Sequence, residues 1–496
     1  MPLTKIVCTL GPATESPEVI RAMIRAGMTV ARLNFSHGGA EGKRQMAELI
    51  RRVAQEENRF VALMGDLQGP KIRVGKLPEG GVPLEEGREI VLTSGPVTDS
   101  EHEIPFPHPD IILDLRIGDH ILLDDGTLEL EVLAVTPPAA RCRIKVGGML
   151  SSNKGVNLPG VALKLTAMTE KDCEDAAIAL ELELDYLALS FVRSAKDVEE
   201  LRAHLKALVR AGGERLPGEN PHRIPAIVAK IEKPEALQDL EAIVRAADAV
   251  MVARGDLGVE TAPERVPLAQ KDIIRLCNRL GKPVITATQM LQSMIDNPRP
   301  TRAEASDVAN AIIDGSDAVM LSGETSVGKY PVEAVRMMAR ISESVEASTS
   351  FPYNQLLNLT GTGEVLPTPR LISRSISRAT VEIAEESGAK AILTSTESGR
   401  TARTVARHRP RCPLIAATPF AQTARRLQLV WGVIPALVEP FHDTDSMIQT
   451  MIQAAVRLGY AKVDDEVVLT AGIPFEVHGV TNMLKVHTVR KEDLKS

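Results

Sequence analysis

Along this 496-residue chain, one short apolar run after another ends in residues that can do chemistry. One run closes in Arg32-Leu33-Asn34-Phe35-Ser36-His37-Gly38, and the next in Gly65-Asp66. Further along come Ser190-Phe191-Val192-Arg193, Lys230-Ile231-Glu232, Arg254-Gly255-Asp256-Leu257-Gly258, Thr286-Ala287-Thr288-Gln289 and Ser322-Gly323-Glu324-Thr325. Glu232 and Asp256 are hard oxygen donors suited to Mg²⁺, which takes one or two protein carboxylates and completes its shell with water and phosphate oxygens. Lys230 and Arg32 would set positive charge against an anionic substrate. Taken singly, each is as well explained as a solvated loop charge or a structural ion pair. That account weakens when all these endings share one face.

A repeating strand-helix unit would put them on one face. Strands are expected at Lys5–Leu10, Val30–Phe35, Phe60–Leu67, Tyr186–Phe191, Ile224–Ile231, Ala249–Ala253, Val284–Thr288 and Ala318–Ser322, each followed by a helical pattern directly or after an insertion. Eight such units predict a (β/α)8 TIM barrel, whose active sites lie at the C-terminal ends of the strands. The helical period vanishes between Gln68 and Ala167. Gly, Pro and strand-like runs at Arg88–Leu92, His120–Leu123 and Arg141–Val146 replace it, predicting a small β-barrel lid domain inserted after the third strand. After a polar linker the alternation resumes with helices at 371–387, 400–408 and 444–459 and strands at Ala391–Ser395, Leu414–Ala417 and Glu466–Leu469, which suits an open α/β domain. The expected divisions are 1–69 and 168–348 for the barrel, 70–167 for the lid, 349–369 for the linker and 370–496 for the C-terminal domain.

Composition narrows the function. Aromatics are 3% of residues and the net charge is -7 without a basic block, which argues against nucleic-acid and anionic-membrane binding. No apolar run approaches the ~18 residues of a membrane span. The start at Met1-Pro2-Leu3 lacks a secretory signal pattern, so a cytoplasmic location is expected. The cysteines, Cys8, Cys142, Cys173, Cys277 and Cys412, have no metal or redox spacing and read as core thiols. Met290, Met294, Met337 and Met338 read as helix-face core. Of the histidines only His37 sits in a motif-like setting.

Thr4–Ala13, Arg32–Gly38, Lys230-Ile231-Glu232, Met251–Gly258 and Leu321–Thr325 together resemble the pyruvate kinase family, and Asn153-Lys154-Gly155-Val156-Asn157-Leu158-Pro159-Gly160 resembles its lid. The resemblance spans essentially the whole chain. It implies transfer of the phosphoryl group of phosphoenolpyruvate to ADP, giving pyruvate and ATP in glycolysis, with Mg²⁺ or Mn²⁺ on Glu232 and Asp256. By the same resemblance Lys230, Arg32 and Thr288 are catalytic. Arg32, Lys230, Gly255, Asp256 and Thr288 hold substrate, and Asn34, Ser36, His37, Arg73 and Lys154 face the nucleotide. It further implies a homotetramer and an effector-phosphate turn at Thr396, Ser398, Gly399, Arg400 and Thr401. The segment Gly472 to Val480 departs from the fructose-bisphosphate-regulated pattern, so a sugar monophosphate or AMP is expected instead of fructose 1,6-bisphosphate. Many members hold K⁺ at positions matching Asn34, Ser36 and Asp66, with a glutamate where this chain has Lys71. This sequence looks like the K⁺-independent group, with the Lys71 ammonium standing in for the cation. Two other readings remain: a Mg²⁺-dependent barrel lyase or phosphomutase, which needs no nucleotide lid, and a catalytically dead scaffold.

Overall fold

The structure, a computed structural model, describes residues 2–96, 102–161, 166, 168–211, 224–351, 353, 368–441, 443–473 and 480–494. Eight parallel strands close into a barrel: Lys5–Thr9, Val30–Asn34, Ala62–Asp66, Tyr186–Leu189, Ala226–Ile231, Ala249–Ala253, Val284–Ala287 and Ala318–Leu321. Each expected strand is present, and several end before the chemistry-bearing residues, which therefore sit on the mouth loops. Local signals set the helices between them. In Pro17–Ala26, Ser16 caps the first turn by accepting from the Val19 N–H, Pro17 opens the helix, and Gly27 at φ 126° ends it. Thr301 and Glu304 form a capping box at the start of Arg302–Ile313.

Side-chain alternation divides each strand between two cores. Val30, Met64, Ala188, Val228 and Met251 fill the barrel interior, while Ala31, Leu63, Leu187, Ala229 and Val252 pack outward against the helices. The lid carries its own core, from Ile72 and Val74 to Leu158 and Val161, around a six-stranded sheet and a two-stranded ribbon.

The C-terminal domain holds a five-stranded sheet with two strands beyond those expected, Val433–Leu437 and the antiparallel edge Met483–Thr488, and an added helix at Ala421–Arg426. Pro435 obscured the first strand, and the second is exposed at the sheet edge, so its alternation is weak. Most of the expected linker lies outside the described residues; the next helix begins at Thr368. This domain seals the barrel's lower end. Leu429 joins the interior core, the Lys5 ammonium donates to the Val433 carbonyl at 2.8 Å, and Arg409 pairs with Asp317 at 3.0 Å. No helix among the described residues is long and apolar enough to cross a membrane.

Candidate active site

Strand parity builds the site. On the second strand the interior positions run Val30, Arg32, Asn34; on the third Ala62, Met64, Asp66; on the fifth Val228, Lys230, Glu232. Apolar residues fill the barrel below and charged ones emerge at its mouth. Asp66 is 1% exposed and holds two cations. Its Oδ2 accepts from Arg32 Nε at 2.7 Å and lies 2.6 Å from Nη2, while its Oδ1 is 3.2 Å from Lys230 Nζ. Arg32 Nη1 also donates to Thr9 Oγ1 at 2.9 Å. The Lys230 ammonium reaches Ser190 Oγ and Glu232 Oε1, both at 2.8 Å, so each of its three hydrogens has an acceptor.

This cluster fixes its own protonation. Burial works to depress the Lys230 pKa, but Asp66 and Glu232 outweigh it and hold the ammonium above its ordinary range. Burial would raise Asp66, yet Arg32 and Lys230 pull its carboxyl below the ordinary value. Glu232 moves the other way: burial raises it and the nearby negative charge of Asp256 adds to that, although Lys230 and the Phe191 N–H, which donates to Oε2 at 2.7 Å, oppose the shift. Two carboxylates that repel each other at the mouth of a buried cluster, both hard oxygen donors, suit a divalent cation. Glu232 and Asp256 are the residues that would hold it.

Asp256 lies in the first turn of the short helix Arg254–Glu260, which follows the sixth strand directly. Beside it, the Gly255 N–H donates to Thr288 Oγ1 at 2.8 Å, and that hydroxyl donates to the Ala287 carbonyl at 2.7 Å. Thr288 and Gln289 have φ of 67° and 53°, a costly conformation for a β-branched residue. Arg254 supports this turn: its Nη2 donates to the Thr288 carbonyl at 2.9 Å, and Asp307 holds its Nη1 at 2.7 Å.

The lid covers this mouth. A cavity of about 240 Å³ lies between them, lined by Lys71, Ile72, Asp125, Val156, Phe191, Lys233 and Asp256 among others. The lid residues expected to face a nucleotide are engaged within the lid, Arg73 Nη1 with the Asn153 carbonyl at 2.8 Å and Lys154 with Asp124 at 2.7 Å. On the barrel side Asn34 Oδ1 accepts from the Ser36 N–H at 3.0 Å, and His37 is exposed. Lys71 is exposed on the cavity wall and makes no ion pair with Asp66 among the described residues; Arg32 and Lys230 already occupy that carboxylate. The chain turns into the lid at Gly69 and carries Lys71 toward Gly155.

Residues 1–335 match the family described as pyruvate kinase, barrel domain, and residues 374–487 match pyruvate kinase, alpha/beta domain. The chain belongs to the pyruvate kinase family. It is 48% identical to "Pyruvate kinase 2" of Synechocystis sp. over 98% of this chain and 79% of that protein. It is 44% identical to the "Pyruvate kinase" of Staphylococcus haemolyticus and to that of Staphylococcus aureus strain MRSA252, each over 99% of this chain and 81% of theirs. Similarity of this extent makes the protein a phosphotransferase.

Three residues at this mouth carry more in the fold than the sequence assigned them. Ser190 stands in the sequence as a strand ending, and Asp66 as a strand ending and a monovalent-cation position, whereas the fold makes Asp66 the carboxylate that holds both Arg32 and Lys230. Parity with Met64 was the available signal. Glu324 is fully buried and accepts from the Leu291 and Ser322 N–H groups at 3.0 and 2.7 Å, so it braces the seventh and eighth strand loops. In the C-terminal domain Thr396 and Thr401 are buried, Gly399 has φ 77°, and Thr401 Oγ1 meets Thr481 Oγ1 at 3.1 Å. Residues 474–479 of the facing segment lie outside the described residues.

Proposed function

We propose that this site transfers the phosphoryl group of phosphoenolpyruvate to ADP, and that the roles fall to the residues the barrel mouth brings together. The observation that carries this assignment is the buried Arg32-Asp66-Lys230-Glu232 cluster, which presents fixed positive charge beside a pair of carboxylates. An ADP phosphate oxygen attacks phosphorus while the bond from phosphorus to the enol oxygen breaks. Charge spreads over the transferring group, and preorganised cations favour that state. A divalent cation on Glu232 and Asp256 would supply further positive charge and orient phosphate oxygens. Arg32 and Lys230 are held in place by Asp66, so they meet the developing charge without first reorganising. The leaving group is the enolate of pyruvate, and the Lys230 ammonium stabilises its oxygen.

The enolate then takes a proton on carbon. The Thr288 hydroxyl commits its own proton to the Ala287 carbonyl and its lone pair to the Gly255 N–H, which fits delivery through a water positioned at Thr288 better than direct transfer. The backbone N–H groups at Gly255 and Asp256, with the Thr288 hydroxyl, take the substrate carboxylate once the Gly255–Thr288 hydrogen bond opens to it. Asn34, Ser36, His37, Arg73 and Lys154 take the nucleotide, the last two after releasing their partners within the lid. The test is formation of pyruvate and ATP from phosphoenolpyruvate, ADP and Mg²⁺. Consumption of phosphoenolpyruvate without ADP would instead favour a lyase or mutase, and activity no higher than that of a Lys230→Met control would favour a scaffold.

Three finer readings go with it. The first is turnover without K⁺, supported by the positive charge of Lys71 where many members carry a glutamate; it acts across the cavity rather than by contact with Asp66. A tenfold rise in activity on adding K⁺ to a tetraalkylammonium buffer would overturn this. The second is activation by a sugar monophosphate or AMP at Thr396, Ser398, Gly399, Arg400 and Thr401, supported by the hydroxyl-rich turn before the helix. Response to fructose 1,6-bisphosphate alone would count against it. The third is a homotetramer, read by light scattering on a sizing column.

A further inference from the structure

We infer that Glu260, with Lys233 and the lid residue Asn157, forms a latch that couples lid position to the placement of both metal carboxylates; this rests on the site assignment above. Glu260 has only 2% of its side chain exposed, and burying a polar group costs free energy unless partners meet it. Its Oε1 takes two: the Lys233 ammonium, and the Asn157 amide of the lid at 2.8 Å. Both partners occupy informative positions. Asn157 lies where the lid chain turns back toward the barrel, next to Val156 and Leu158 of the lid core. Lys233 directly follows Glu232.

Two routes lead from this latch to the candidate metal ligands. Glu260 ends the helix whose first turn carries Asp256, so a pull on Glu260 is transmitted along one rigid helical segment. Lys233 lies 5.6 Å from the centroid of the Phe191 ring, and Phe191, held at φ 55°, donates its N–H to Glu232 Oε2. The lid turn at Gly126 also faces Val259 on the same helix. Docking the lid therefore sets the loops bearing Glu232 and Asp256 in one arrangement. Glu260, Lys233 and Asn157 are positioning residues and need not touch substrate. Outer residues that orient metal ligands commonly change metal affinity when removed.

The test uses Asn157→Ala and Glu260→Gln in the full chain, with Mn²⁺ binding read directly from the loss of the free-ion EPR signal as well as steady-state kinetics. Asn157→Ala is expected to raise KM for ADP severalfold, to weaken Mn²⁺ binding in the same direction as Glu260→Gln, and to make the lid more sensitive to trypsin. Glu260→Gln is expected to weaken Mn²⁺ binding about tenfold or more. If Glu260→Gln does not fold, Asn157→Ala alone decides through its Mn²⁺ affinity and proteolysis rate. Wild-type Mn²⁺ affinity in both variants would overturn the latch. Absence of phosphoryl transfer in the wild-type protein would instead overturn the functional assignment, and the direct Mn²⁺ measurement keeps the two failures distinct.

Discussion

Lys230→Met removes the ammonium on which the cluster turns, and its consequences can be worked out contact by contact. Methionine matches the length of lysine but offers nothing to Ser190 Oγ, Asp66 Oδ1 or Glu232 Oε1. Asp66 keeps its paired contacts to Arg32 and stays compensated. Glu232 keeps only the Phe191 N–H and faces Asp256 with its main counter-charge gone. Breaking a buried pair from one side costs about 3–5 kcal/mol, so the urea midpoint should fall measurably while the protein still folds at 25 °C. Catalysis should suffer more specifically. Loss of one preorganised stabiliser of developing negative charge lowers kcat by about 10²–10³-fold, and removing a cation that serves both phosphoryl transfer and the enolate should reach or exceed the upper end. Pyruvate formation, coupled to NADH oxidation and measured well below the unfolding transition, separates the two effects. A variant with a tenth of wild-type turnover would refute the assignment, and one with wild-type urea stability would refute the electrostatic account of the cluster.

Other consequences follow from the same geometry. Thr288→Val keeps the shape but deletes the acceptor for the Gly255 N–H and should lower kcat about 10²-fold or more, whereas Thr288→Ser should retain most turnover; equal loss in both would point to backbone strain instead of the hydroxyl. Arg409→Met strips the buried Asp317 of its cation and leaves it the Val284 and Trp431 N–H groups, which should cost about 3 kcal/mol in urea unfolding with little change in kcat; an unchanged midpoint would contradict it. Burial pushes the Lys5 pKa down to about 8 from 10.5, so between those values the unfolded chain binds more protons than the folded one. This group's contribution to stability therefore rises with pH across that window, and it is lost as pH falls through about 8. Lys5→Met should flatten that part of the stability profile, and an identical pH slope in the variant would disprove the effect.

The sequence by itself determined the order of the eight barrel strands and their helices, the interruption by a β-rich insertion, and the residues at each barrel strand end. Those properties are local. Periods of two and near 3.6, a capping Ser16 or Thr301, and a terminating Gly27 are written in neighbouring residues, so the expected strand positions differ from the observed ones by a few residues at most. The positions of Lys230, Glu232, Asp256 and Thr288 at strand ends were legible for the same reason. Only the tertiary structure decided what meets what. Asp66 became the holder of Arg32 and Lys230 because closure of the barrel sets the second, third and fifth strands around one interior, bringing together residues nearly two hundred positions apart. Lys71 comes to line the cavity under the lid because the chain leaves the barrel at Gly69 and enters the lid. Glu260, Lys233 and Asn157 carry no shared motif. Their contact exists because a separately folded domain docks on a helix whose far end bears Asp256, and such a meeting depends on how two folded surfaces fit, a property that no local stretch of sequence encodes.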